Sequence, residues 1–206
     1  TIQGNGATIA RQENAPAFRL IAVNNSGDLM LQNLTLSGGY AFNGNGGGVY
    51  NHGGVLTIQN SVISQNRSRG VSNYATGRGG GVSNHSGIIA IEKSSIAANV
   101  ASTDGGGLNN LLGTITITDS TVSGNSASFG GGVNSFFGSL SIENSNISEN
   151  RSALGGGLFN TSFLSLHNST ISYNTASVGG GGVGNNSSAN IENSTISANT
   201  AGTSGG

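Results

Sequence analysis

The stretch Gly130–Asn150, GGGVNSFFGSLSIENSNISEN, decides the fold. Its glycine block runs into Val133, and a short turn leads to Leu140-Ser-Ile142. There apolar residues alternate with polar Ser141 and Glu143, the period of two that marks a short half-buried strand. The phrase closes on Ile147-Ser-Glu-Asn150. Working outward, the same phrase recurs along the chain. A glycine block followed by Val or Leu ends at Val49, Val82, Leu108, Val133, Leu158 and Val183, in steps of 33, 26, 25, 25 and 25 residues. An aliphatic-x-x-Asn mark ends at Asn66, Asn99, Asn125, Asn150, Asn174 and Asn199, in steps of 33, 26, 25, 24 and 25. Two independent marks with one period are the signature of a repeat architecture.

One unit holds too few aliphatic residues to bury a core alone, so the units must stack. Stacking predicts three apolar columns. The first is the glycine-block set Val49 to Val183, and the second is Ile58, Ile91, Ile117, Ile142, Leu166 and Ile191. The third is Ile63, Ile96, Val122, Ile147, Ile171 and Ile196. No stretch carries apolar residues at helical spacing over helical length. The expectation is an all-β chain forming one right-handed parallel β-helix, with about 25 residues and three short strands per rung. Roughly eight rungs would span roughly 35–40 Å. Residues 1–28 read as opening rungs, 29–199 as repeat units, and 200–206 as the start of a further unit.

Composition agrees. Glycine supplies 37 of 206 residues, about 18% against a usual share of about 7%. Charged residues are 7%, and the formal net charge is -1. With no basic field to hold a phosphate backbone, no nucleic-acid partner is expected. No apolar run reaches 18 residues, so no helical membrane span is expected. Cysteine is absent, which removes disulfides and thiolate chemistry. A single proline, Pro16, suits uninterrupted ladders, because proline cannot donate to them.

The Asn column Asn66, Asn99, Asn125, Asn150, Asn174 and Asn199 reads as a structural ladder of stacked amides. A second column runs through Asn51, Asn84, Asn110, Ser135, Asn160 and Asn185. Asn33-Leu-Thr35 and Asn168-Ser-Thr170 fit the N-glycosylation pattern, though such triplets also arise from composition alone. The glycine blocks lack a following Gly-Lys-Ser/Thr or helix, so they read as bends and close backbone contacts rather than phosphate cradles.

The pairing of GGGV-x-N with I-S-x-N, as in Gly46-Gly-Gly-Val49 and Ile63-Ser-Gln-Asn66, resembles the GGA-I and F-x-x-N repeats of chlamydial polymorphic outer-membrane proteins. It is also similar to the wider group of bacterial right-handed β-helix surface proteins with pectate-lyase-like folds. The likeness runs from about Leu29 to Asn199, and Thr1–Ile9 looks like the opening rung of that group. This chain departs from it with a third Gly in place of Ala, and with Ile or Val in place of Phe. The resemblance implies export, surface display, and adhesive or structural work. It carries no catalytic residue onto this chain.

Three surface features are candidates for function. The row after the second-strand aliphatic reads Gln59, Glu92, Thr118, Glu143, His167 and Glu192. Stacking would set Glu143 and Glu192 about 9–10 Å apart with His167 between them, near the upper limit of an inverting carboxylate pair. The alternative is a solvated row of unlike groups. Arg67, Arg69 and Arg78 surround about eight residues inserted into the one long unit, a contact loop for a glycan or other partner, or else a solvated loop. His52 and His85 stand in matching turn positions, too few to complete a metal site. Asp28, Asp104 and Asp119 are scattered, without a calcium-binding repeat.

These readings converge on a non-enzymatic extracellular or cell-surface scaffold, without cofactor or metal, that self-associates end to end. A surface adhesin and a carbohydrate-active enzyme are the alternatives.

Overall fold

A computed structural model describes residues 1–71 and 76–205. Among them every regular element is a strand, and every pairing between strands is parallel. The chain coils into a β-solenoid of about eight turns, with equivalent residues about 26 apart. The three anticipated columns are in register at every step. Val49 pairs with Val82, Val82 with Leu108, Leu108 with Val133, Val133 with Leu158, and Leu158 with Val183. The second column runs unbroken from Ile58 to Ile191, and the third from Ile63 to Ile196. The first is extended upward through Ile21, the second through Leu31 to Ile2, and the third through Leu36 to Ile9.

The alternation inside each second strand explains the core. In Thr114–Thr118, Ile115 and Ile117 are fully buried while the threonines between and beside them face outward. Burying such a side chain contributes about 1.5–3 kcal/mol relative to leaving it in water. β-Branched residues also suit the pleated backbone that presents them. The aliphatic residues form one continuous axial core from Val23 to Ile171.

A fourth short strand joins the three expected ones. It follows the Asn column, as Tyr40–Phe42, Arg67–Arg69, Val100–Ala101, Arg151–Leu154, Thr175–Gly179 and Thr200–Ala201, with Ser126 bridging the remaining rung. Its inward column is small: Ala41, Ser68, Ala101, Ala127, Ser152, Ala176 and Ala201. Small side chains there let the glycine block pass close behind. A Cβ on Gly106 would come within 2.4 Å of the Gly131 carbonyl oxygen and 2.5 Å of the Ser126 nitrogen.

Left-handed corners end the strands. Asn60, Lys93, Asp119, Asn144, Asn168 and Asn193 take φ between 47 and 50° just before the third strand. The next residue in each case is Ser61, Ser94, Ser120, Ser145, Ser169 or Ser194, and these form a column absent from the sequence expectations. Each backbone N–H from Ser61 to Ser169 donates to the serine hydroxyl one rung on, at 3.0–3.1 Å. Each of these hydroxyls donates to the carbonyl two residues before it, at 2.7–2.8 Å.

At the N-terminal end, Ile2–Ala10 lies along Asp28–Ser37, interrupted by a bulge between Gln3 and Ala7. It covers Leu31 and Leu36, which are fully buried. At the other end, Ala189–Glu192 and Thr195–Ser197 are paired on one side only, and Ile191 and Ile196 are 44% and 43% exposed.

Candidate functional site

The glycine blocks build a cleft. In six successive rungs the sequence reads X-Gly-Gly-Gly-aliphatic-X, and the first glycine takes a left-handed φ, between 58 and 65° at Gly46, Gly79, Gly105, Gly130, Gly155 and Gly180. At that turn the chain doubles back so closely that a Cβ on Gly105 would lie 2.1 Å from the Leu108 carbonyl oxygen and 2.8 Å from the Asn109 Cα. The two flanking residues therefore stand on opposite sides of the turn. One wall is Asn45, Arg78, Asp104, Phe129 and Leu154, and the other is Tyr50, Ser83, Asn109, Asn134 and Phe159. Register keeps each wall straight, since Asp104 pairs with Phe129 and Phe129 with Leu154, while Asn109 pairs with Asn134 and Asn134 with Phe159.

Two adjoining cavities occupy this cleft. One, of about 390 Å³, lies between Arg78, Asp104, Asn109, Asn134, Phe129, Phe136 and Phe159. The other, of about 320 Å³, shares Arg78, Asn109 and Leu111 and reaches Tyr50 and His85. The Arg78 Nε donates to Asp104 Oδ2 at 2.7 Å, with both side chains about one-fifth exposed. Burial raises the Asp104 carboxyl above its ordinary range, and the guanidinium only partly offsets this. The Asn134 Nδ2 donates to Asn109 Oδ1 at 3.0 Å, but the Asn109 Nδ2 is buried without a partner. The rings of Phe129 and Phe159 meet at 5.5 Å across the far end. At the near end Arg19 lies 4.8 Å over the Tyr50 ring, which stacks on His52.

The glycine amides do not form a phosphate cradle. They donate along the axis, Gly46 to the Arg78 carbonyl, Gly80 to that of Gly105 and Gly106 to that of Gly130, at 2.9–3.2 Å. Peptide groups already joined this way have no N–H left for a ligand.

The Asn ladder is continuous. From Asn66 through Asn99, Asn125, Asn150 and Asn174 to Asn199, each Nδ2 donates to the next Oδ1 at 3.0–3.1 Å. Each backbone N–H donates to that same oxygen at 2.9–3.0 Å. The second ladder is interrupted. Asn51 donates to Asn84 and Asn84 to Asn110 at 3.0 Å, and Asn110 reaches the Ser135 hydroxyl at 3.3 Å. Asn160, one rung below Ser135, keeps a buried Oδ1 with no partner. Asn33 and Asn168, the two glycosylation-pattern residues, both occupy left-handed corners, at φ 55 and 49°.

The structure separates the three arginines. Arg67 and Arg69 point outward from one strand, and Arg67 lies 5.6 Å from the Tyr40 ring centroid beside a cavity that also includes Arg11 and Glu13. Arg78 belongs to the glycine-block cleft instead. The insertion lies after Arg69, since Arg67 and Ser68 still pair with Val100 and Ala101. Residues 72–75 of the expected contact loop lie outside the described residues.

Glu143, His167 and Glu192 do fall on consecutive rungs of one outer face. His167 Nδ1 is 3.9 Å from Glu143 Oε1, with side chains 39% and 53% exposed. Higher in that row Gln32, Gln59 and Glu92 are joined by hydrogen bonds of 2.6 and 3.0 Å. His52 and His85 stack with ring centroids 5.0 Å apart. Burial, His52 and Arg78 all lower the pKa of His85. Among the described residues no group of three or more His, Cys, Asp or Glu is placed to hold a metal ion.

The cleft was missed in the sequence because neither wall repeats one residue type from rung to rung. The available signal was positional: two residues five apart, flanking a left-handed glycine turn in six successive rungs. Comparison with known protein families, curated proteins and solved structures yields no match to this chain.

Proposed function

We propose that this chain is a non-enzymatic extracellular structural protein, a β-solenoid that assembles end to end into a filament or surface scaffold. The carrying observation is the unbroken parallel register of the three apolar columns, which keeps one spacing and one set of partners from rung to rung. A unit supplied by a second copy would continue those columns, and open-ended heterologous contacts generate filaments. A net charge of -1 opposes such stacking very little. The placement outside the cell draws support from the cysteine-free composition and from the resemblance of the repeats to bacterial surface proteins.

Electron microscopy and sedimentation of the purified chain test this. Rods whose lengths are multiples of one solenoid, and mass that grows with concentration, are expected. A monomer at all concentrations overturns it.

A second reading, a surface adhesin, draws on the insertion after Arg69, the one large departure from the repeat length. It predicts that exchanging residues 70–77 for a short turn abolishes attachment to a host or glycan surface while leaving the melting temperature nearly unchanged.

A further inference from the structure

We propose that the cleft between the two walls flanking the glycine blocks binds a neutral glycan, with its polar contacts at Asn109, Asn134 and the Arg78–Asp104 pair and its apolar contacts at Phe129, Phe136 and Phe159. This goes beyond the scaffold reading and does not depend on it.

The first observation is the orphan donor. Asn109 lines both cavities and is 1% exposed; its Oδ1 accepts from Asn134, and its buried Nδ2 has no partner. Every amide of the ladder from Asn66 to Asn174, by contrast, has both side-chain atoms bonded. A buried donor left unmade costs about 1–3 kcal/mol, so an acceptor arriving from the cleft is favoured there.

The second observation is the chemistry around that donor. Three phenyl rings supply apolar surface within a cavity of about 390 Å³. Beside them, on the same two walls, stand two amides and an ion pair. A guanidinium carries five N–H donors and a carboxylate about four acceptor sites. The one hydrogen bond at 2.7 Å between Arg78 and Asp104 therefore leaves capacity on both for hydroxyl groups. A pyranose matches this pairing, because it offers an apolar C–H face to the negative face of a phenyl ring and a belt of hydroxyls to the polar groups.

The third observation selects a neutral sugar. Arg78 is matched by Asp104, so the polar groups of the cleft carry no net charge to attract a uronate or a sulfate. The cleft also has length. Tyr50, Ser83, Asn109, Asn134 and Phe159 are successive steps of a parallel ladder, so it extends about 19 Å along the axis. That suits a linear oligosaccharide better than a single ring.

The test is titration of the ¹⁵N-labelled full chain with cellohexaose, maltohexaose and the hexamer of N-acetylglucosamine, with tetragalacturonate as the anionic comparison. The expected result is a saturable shift of the Asn109 side-chain NH₂ resonance with at least one neutral hexamer. Phe136→Ala should weaken that binding tenfold or more. Phe137→Ala, at the neighbouring and more exposed ring, should leave it unchanged. Phe136 is 38% exposed at a strand end, so its removal leaves the stack folded, which an unchanged amide spectrum elsewhere confirms. The proposal is overturned if none of the three hexamers shifts Asn109, if tetragalacturonate binds there as tightly, or if Phe136→Ala binds like the parent.

Discussion

Asn125 shows what one side chain does in this fold. Its Oδ1 accepts from the backbone N–H and the Nδ2 of Asn99, and its own Nδ2 donates to the Ile96 carbonyl and to Asn150. Replacing it strands groups on both neighbouring rungs. Asn125→Ala should cost about 3 kcal/mol or more, because each buried polar group left without a partner costs about 1–3 kcal/mol. Chemical denaturation measures this directly. Ser135→Asn has the opposite sign: it restores the interrupted ladder above the orphaned Asn160 Oδ1 and should add about 1 kcal/mol. The Asn columns were legible because asparagine recurs at a fixed period. The serine column was hidden by the abundance of serine, which made its spacing indistinct. His85 adds a pH dependence. His85 has its pKa lowered in the folded chain, so the unfolded chain binds a proton more readily just below the ordinary histidine value of 6.5. Stability should therefore fall as pH drops through and below 6.5, and it should fall less in His85→Gln, as read from melting temperatures at pH 7 and pH 5.

At the scale of the element, corners decide more than strands. Gly124 and Ala98 occupy equivalent left-handed corners, at φ 62 and 53°. A Cβ on Gly124 meets nothing closer than 3.8 Å, whereas one on Gly106 would strike backbone at 2.4 Å. Gly124→Ala should cost only about 1 kcal/mol, the left-handed penalty alone. Gly106→Ala should cost far more, because two rungs would have to part. Ala98→Gly should instead stabilise by about 0.5–1 kcal/mol, as glycine removes that penalty at a small entropic cost. Thermal unfolding of the three variants side by side tests the contrast. The strands were readable because alternation of Leu56 and Ile58, or of Ile115 and Ile117, reports which face is inside. The fourth strand was not, because Ala101, Ala127 and Ser152 are too small to mark a buried column. The cleft was invisible for a related reason: Arg78, Asp104, Phe129 and Leu154 have only their position in common.

Across the whole molecule, each coil is held by its neighbours, so stability depends on what covers the ends. Removing residues 1–10 would uncover Leu31 and Leu36, both fully buried beneath Ile2–Ala10. Such a truncation should bind a hydrophobic dye and melt well below the parent, because solenoids lacking a covering element expose their core. The opposite end already presents Ile191 and Ile196 to solvent.

The glycine turn also divides labour along the chain. In the rungs from Arg78 to Phe159, the aliphatic residue after the glycines is sealed in the core, while the residues on either side of the turn are left out of it. Those two positions are thus released from the apolar packing of the core, although Ser83, Asn109 and Asn134 are themselves buried. Arg78 with Ser83, Asp104 with Asn109, and Phe129 with Asn134 read as successive pairs of letters on an otherwise constant spine. Such a surface can be rewritten one coil at a time, so that what it recognises changes while the architecture beneath stays as it is.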